Sequence, residues 1–280
     1  MTTAASPQDR GRTGATRVRD VDPQVLEGLN QGTLQAATLA EALAVDFATL
    51  LARIVPGAAE TAATAIDPRA GITRRMTQAS RLILDHGGAT AFDQLAFHRS
   101  DTVRGWAAYL LAATPELDLA ARLAAIRPLA DDPHFTVREW AWLALRDHVA
   151  ADLTTAIRLL GNWTAEPSAN LRRFAVEITR PRGVWARHIK PLAVQPGLGL
   201  PLLDPLRADS SRYVQDSVAN WLNDAAKTQP EWVRDTCARW LDACHASSAT
   251  QRICHRAQRS LTTLGKVEVG SCWSGGSAGG

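Results

Sequence analysis

Five stretches of this sequence line up with one another when the chain is slid along itself, and that self-similarity limits the fold more than any single motif does. They are SDTVRGWAAYLL from Ser100, HFTVREWAWLAL from His134, SANLRRFAVEIT from Ser168, SRYVQDSVANWL from Ser211 and TQRICHRAQRSL from Thr250. Their shared anchors, Val103, Val137, Leu171, Val214 and Ile253, are 34, 34, 43 and 39 residues apart. Alanine and leucine dominate the chain and period-two alternation is rare. Repeats of that length then imply stacked helix pairs, each burying its apolar face against its neighbours. The expected fold is all-α, a curved solenoid of antiparallel helix pairs.

The V-R-x-x-A core of these segments resembles HEAT repeats. Four residues past each anchor stands Ala107, Ala141, Ala175, Val218 or Ala257, small enough for close helix approach. Trp106, Trp140 and Phe174, three past it, are expected in the core between repeats. Arg104, Arg138 and Arg172 directly follow their anchors, and Asp132, Glu166 and Asp209 lie five before theirs. That pattern predicts a ladder of ion pairs joining one repeat to the next, in preference to contacts with DNA.

The remaining chain frames the repeats. Residues 1–20 are polar and read as a disordered basic tail, and 266–280 as a flexible Gly/Ser tail. Between them lies one helical domain, with a cap over about 21–88 and repeats over about 89–265. In the cap, Leu39, Leu43, Phe47 and Leu50 follow helical spacing, Pro56-Gly57 ends the run, and a helix through Met76, Ser80 and Leu84 stops at Gly87-Gly88. The net charge of +3 is too small to dictate a partner. Cys237, Cys244, Cys254 and Cys272 lack CxxC spacing and read as free thiols; a zinc site with His245 and His255 is the weaker alternative. No apolar run approaches a membrane span and no signal-peptide core is present, so the expected location is the cytoplasm, on the nucleoid when DNA is bound. P-loop, GxSxG and HExxH motifs are absent.

At about 100° per residue, positions two, six and nine after each anchor share a stripe opposite the apolar one. It reads Gly105, Tyr109, Ala112; Glu139, Leu143, Arg146; Arg173, Glu177, Arg180; Asp216, Asn220, Asn223; His255, Arg259, Thr262, with Trp142 beside it. Asp216, Asn220 and Asn223 are poor helix formers, and an exposed Trp142 gains nothing from water, so the stripe is expected to line a concave site rather than a merely solvated face. Asp224, one position round, is either a site carboxylate or a structural partner. The RPRGVW segment adds Arg180, Arg182 and Trp185, with Gly183 permitting a turn that presents Trp185 at the groove edge. A buried staple is the competing role for that tryptophan.

Here the sequence resembles the HEAT-repeat DNA alkylation repair family, the alkylpurine DNA glycosylases of the AlkC and AlkD type. It is closer to the AlkC branch, whose RPRLPW and SVANHLND are similar to RPRGVW and SVANWLND here. The likeness is most specific from Leu171 to Lys227, and the repeats extend it over about 90–262. It implies a monomer that clasps duplex DNA and excises cationic alkylated purines by hydrolysis, with neither metal nor nucleotide cofactor. Trp185 and Asp224 match the residues closing the two motifs and are the leading catalytic candidates, followed by Glu139 and Asp216. Trp142, Arg146, Arg173, Glu177, Arg180, Arg182, Asn220 and Asn223 are the DNA-binding candidates. Asp216 departs from the basic residue usual before SVAN, and His134 stands near where the family has an acidic residue. The alternatives are a non-catalytic module for damaged or branched DNA and a protein-binding HEAT scaffold.

Overall fold

The computed structural model describes residues 12–183, 185–244 and 246–261, which are helical with no strand among them. The first eleven residues, Thr262 of the predicted stripe, His245 and the C-terminal segment with Cys272 lie outside the described residues. The chain divides into two compact units, one ending at Ala151 and one beginning at Asp152.

The first unit opens with α1 (Pro23–Asn30), α2 (Leu39–Ala44), α3 (Phe47–Ile54) and α4 (Ala59–Ala65), followed by α5 (Ile72–Gly87). The run from Leu39 to Leu50 forms two helices, α2 and α3. Val45 is extended, and the Asp46 side chain accepts from Ala48 N and Thr49 N to start α3. Helix α5 ends at Gly87, as the sequence predicts, with Gly88 at φ 65°. Residues 12–20 correct the tail expectation. Arg12 makes a two-pronged ion pair with Glu41 at 2.6 and 2.8 Å, and Ala15 N donates to the same carboxylate. A carboxylate only 2% exposed requires such partners, and the segment that supplies them is thereby fixed.

Repeats follow in α6 (Ala91–Ala96), α7 (Asp101–Ala113), α8 (Leu119–Ala130) and α9 (Phe135–Ala151), with α7 packed on both α5 and α9. Val103, Val137, Trp106 and Trp140 are fully buried, as their position predicts. Gly105 makes the close approach feasible: a Cβ there would stand 2.5 Å from Trp140 Cδ1. Asp101 accepts from Ala36 N and Thr136 Oγ1, while His134 Nε2 lies 2.8 Å from Ala36 O. A carbonyl only accepts, so that ring nitrogen carries the proton, and the residues before α2 are stitched to α7 and α9.

The second unit comprises α10 (Leu153–Gly161), α11 (Ala169–Glu177), α12 (Lys190–Val194), α13 (Leu200–Leu203), α14 (Arg212–Ala226), α15 (Pro230–Ala243) and α16 (Ser248–Ala257). Helix α14 packs on α11, α15 and α16 around a core of Val214, Val218, Trp221, Leu222, Val233 and Ile253. Helix α11 ends at Glu177, three residues before Arg180. The residue before Pro181 is disfavoured in helical geometry, and Thr179 Oγ1 turns back onto the carbonyls of Ala175 and Val176.

Two rungs of the expected arginine ladder are built. Arg104 pairs with Asp132 at 2.8 Å and Arg172 with Asp209 at 2.6 Å, each bridging from its own repeat helix to the turn before the next. Arg104, Arg138 and Arg172 each also donate to the carbonyls five and six residues upstream. Asp132 and Asp209 in turn accept from the backbone N–H two residues on. In the fourth repeat Gln215 replaces the arginine and still donates to the carbonyl six residues back, at 2.7 Å.

Candidate functional site: an arginine held between two buried carboxylates

The end of α11 and the middle of α14 meet through side chains. Arg180 lies three residues past α11, in the turn that Pro181 forces open. Its Nε and Nη2 reach Asp224 Oδ2 on α14 at 2.9 and 2.8 Å, and Nη1 reaches Glu177 Oε2 at 3.3 Å. Burial opposes the arginine's charge, but Glu177 and Asp224 outweigh it and raise its pKa above the ordinary value. Glu177 also accepts from Ser217 Oγ at 2.6 Å and lies 3.6 Å from Arg173, whose guanidinium stacks over Tyr213 at 4.3 Å. Asp224 Oδ1 has Lys227 Nζ at 3.4 Å. Both carboxylates are buried, at 3% and 4% exposure.

Arg180 also opens the loop that carries Trp185. The loop is closed by Ile189 N donating to Pro181 O at 3.0 Å, and Arg182, Arg187 and Lys190 make it cationic. Trp185 is 47% exposed and sits at φ 62°. The left-handed region is a strained conformation for a bulky side chain, costing roughly 1–3 kcal/mol, and such strain concentrates at working sites. Among the described residues it is the one exposed tryptophan: Trp106, Trp140, Trp142, Trp163, Trp221 and Trp240 are buried. The staple role falls instead to Trp221, whose Nε1 donates to Thr179 O at 3.0 Å.

The expectation of an outward stripe needs correction. Tyr109, Leu143 and Glu177 at position six, Arg146 and Asn223 at position nine, and Trp142 beside them are all buried, so these residues face neighbouring structure, while Asn220 and Arg180 are half-buried and Arg259 is exposed. In α14 the reason is visible. Asn223 Nδ2 donates to the Ala257 carbonyl at the end of α16 and to the Ser260 hydroxyl beyond it, both at 2.9 Å. In the first unit Trp142 Nε1 donates to Glu139 Oε2 at 2.8 Å, and Arg146 is 1% exposed with partners of its own. Asp216 belongs to a separate group: its Oδ1 meets Arg252 Nη2 at 2.7 Å and lies 3.0 Å from Arg256 Nε. Asn220 accepts from Arg259 at 2.9 Å.

Sequence reasoning missed Lys227, Ser217, Arg252 and Arg256 as members of these clusters. The arginines carried a signal, the spacing 252, 256, 259 along one helical face. Ser217 carried none, because its partner lies 40 residues upstream. The described residues contain no group of three or more His, Cys, Asp or Glu side chains fit to hold a metal ion. No described helix is long and apolar enough to cross a membrane.

Fold and cluster together define a helical-repeat protein that holds a guanidinium between two buried carboxylates. Residues 135–257 match the family of DNA alkylation repair enzymes. An uncharacterized protein of Bacillus subtilis (strain 168), YhaZ, is 37% identical over 135 residues, 48% of this chain and 37% of that protein. The Pseudomonas fluorescens alkylpurine DNA glycosylase AlkC, solved bound to DNA containing an abasic site analog, matches with a TM-score of 0.64 at 22% identity. That match covers 90% of this chain and 66% of the AlkC chain, a likeness of fold. The chain thus spans just over a third of YhaZ and about two thirds of AlkC.

Proposed function

We propose that this chain is a DNA glycosylase that excises cationic alkylated purines from duplex DNA, with Asp224 as its essential carboxylate. The observation that carries the reading is the state of Asp224. Arg180 engages one oxygen through a hydrogen bond from Nε and an ion-pair contact from Nη2 and so fixes the group, while among the described residues the other oxygen has Lys227 Nζ at 3.4 Å. A carboxylate so oriented needs no reorganisation when positive charge develops beside it. The match of residues 135–257 to DNA alkylation repair enzymes and the fold shared with AlkC support the same reading.

The chemistry asks little of the protein. In a purine alkylated at N3 or N7 the base is already cationic. The bond from the base to the sugar C1′ breaks, its electron pair neutralises the purine, and the leaving base needs no proton. Positive charge passes to the sugar, where a carboxylate lowers its energy. Water then adds at C1′ and yields its proton to that carboxylate or to solvent. Trp185 offers an exposed aromatic face that favours a cation. Glu139 is the second carboxylate candidate. Asp216, whose Oδ1 already faces two arginines, is the weakest.

One observation favours a second reading, a DNA-binding module without catalysis: both oxygens of Asp224 stand in ion pairs. Alkaline cleavage of methylated duplex after incubation with the protein separates the two. The glycosylase reading predicts strand scission at abasic sites; intact strands from protein that binds the duplex favour the module.

A further inference from the structure

We infer that Arg252, Arg256 and Arg259 form a row that grips the DNA phosphodiester backbone, with Asp216 as a built-in competitor that holds the row in place and tempers its grip. The inference rests on the proposed action on duplex DNA and concerns the α14–α16 face beside the Arg180 cluster.

The three arginines recur at i, i+4 and i+7, two on α16 and one just past its end, so they share one face along the seam with α14. Asp216 answers the first two directly. Asp216 Oδ1 receives Arg252 Nη2 at 2.7 Å, and Arg256 Nε stands 3.0 Å from the same oxygen without a well-aligned hydrogen bond. Arg259 meets the neutral Asn220 at 2.9 Å and its own Arg256 carbonyl at 2.7 Å. Two guanidiniums sharing one oxygen, with a third beside them, leave net positive charge on an accessible surface. The side chains of Arg256 and Asp216 are 42% and 39% exposed.

Burial and the like charge of Arg256 lower the pKa of Arg259, while Asp224 and Asp216 oppose them, so these cations already repel one another. An incoming anion relieves that repulsion. The guanidinium fork suits phosphate oxygens, and arginines one helical turn apart suit successive phosphates of a strand better than one compact anion. The carboxylate of Asp216 competes for the same donors and charges a toll on each DNA contact.

The test is binding of a short, undamaged, fluorescently labelled duplex across a salt series, for wild type, the triple variant Arg252→Gln/Arg256→Gln/Arg259→Gln, and Asp216→Asn. Each arginine that neutralises a phosphate adds about 0.9 to the slope of log affinity against log salt, so the triple variant is expected to be shallower by up to about 2.7. Asp216→Asn is expected to bind more tightly with a slope at least as steep. A triple variant with the wild-type slope overturns the inference while leaving the proposed function standing. Should the triple variant fail to fold, Asp216→Asn decides alone, and unchanged or weaker binding overturns it. Wild-type protein that does not bind duplex overturns the proposed function as well.

Discussion

Arg180 and Asp224 are 44 residues apart in the chain, yet two guanidinium nitrogens of the one end on a single oxygen of the other, at 2.9 and 2.8 Å. The pair ties the turn after α11 to α14, and with Glu177 it leaves the arginine shared by two carboxylates. Arg180→Met removes the cation both share, leaving Asp224 with Lys227 at 3.4 Å and Glu177 with Ser217 and Arg173. The expected loss is roughly 3 kcal/mol, the low end for breaking a buried pair, because the arginine keeps some exposure. Urea denaturation reads it; a loss under about 0.5 kcal/mol, the level of an ordinary surface change, contradicts the account.

Trp185 is placed to separate stability from activity. It is 47% exposed in a strained backbone conformation, so truncation exposes no core. Trp185→Ala is expected to change stability by no more than about 0.5 kcal/mol, while base release falls well below wild type. A variant that melts early, or one that excises at the wild-type rate, contradicts that role.

Gly199 is a packing residue. A Cβ at this position would come within 2.5 Å of Trp221 Cζ2, and Trp221 is fully buried with its indole N–H committed to Thr179 O. Gly199→Ala therefore overpacks the second unit and is expected to cost about 1–3 kcal/mol by thermal or urea unfolding. An unchanged midpoint would show that the indole has room to shift.

The repeat anchors, the small residues four positions on and the arginine ladder were legible in the sequence because they depend on spacing alone. Val103, Trp106, Arg104 and Asp132 could be assigned without knowing what lay opposite. The outward stripe was not. Helical periodicity separates an apolar face from a polar one, but it does not reveal that a second polar face is buried by partners far along the chain. Asn223 and Glu177 read as solvent-facing until Ala257 O, Ser260 and Ser217 are placed against them. Asp224 remained ambiguous for the same reason, since its partner Arg180 sits past a helix end that only the Thr179 back-bonds and Pro181 define.

Glu41 makes the docking of residues 12–20 sensitive to acid. Burial would raise its pKa, but the Arg12 side chain and the N–H groups of Ala37 and Ala15 outweigh that and hold it below the ordinary value of 4.5. A carboxyl depressed on folding contributes stability that is fully present above its unfolded value and lost as pH falls through the folded one. The urea midpoint is therefore expected to fall more steeply below about pH 4.5 in wild type than in Glu41→Gln. Parallel pH profiles would contradict it.

The most direct measurement is single-turnover release of alkylated purine from methylated duplex by wild type and by Asp224→Asn, with unfolding curves for both. The account predicts release by wild type and, in a folded variant that still binds the duplex, a rate lower by on the order of 10²-fold or more. A folded Asp224→Asn protein that releases base as fast as wild type contradicts the central claim that this carboxylate carries the reaction.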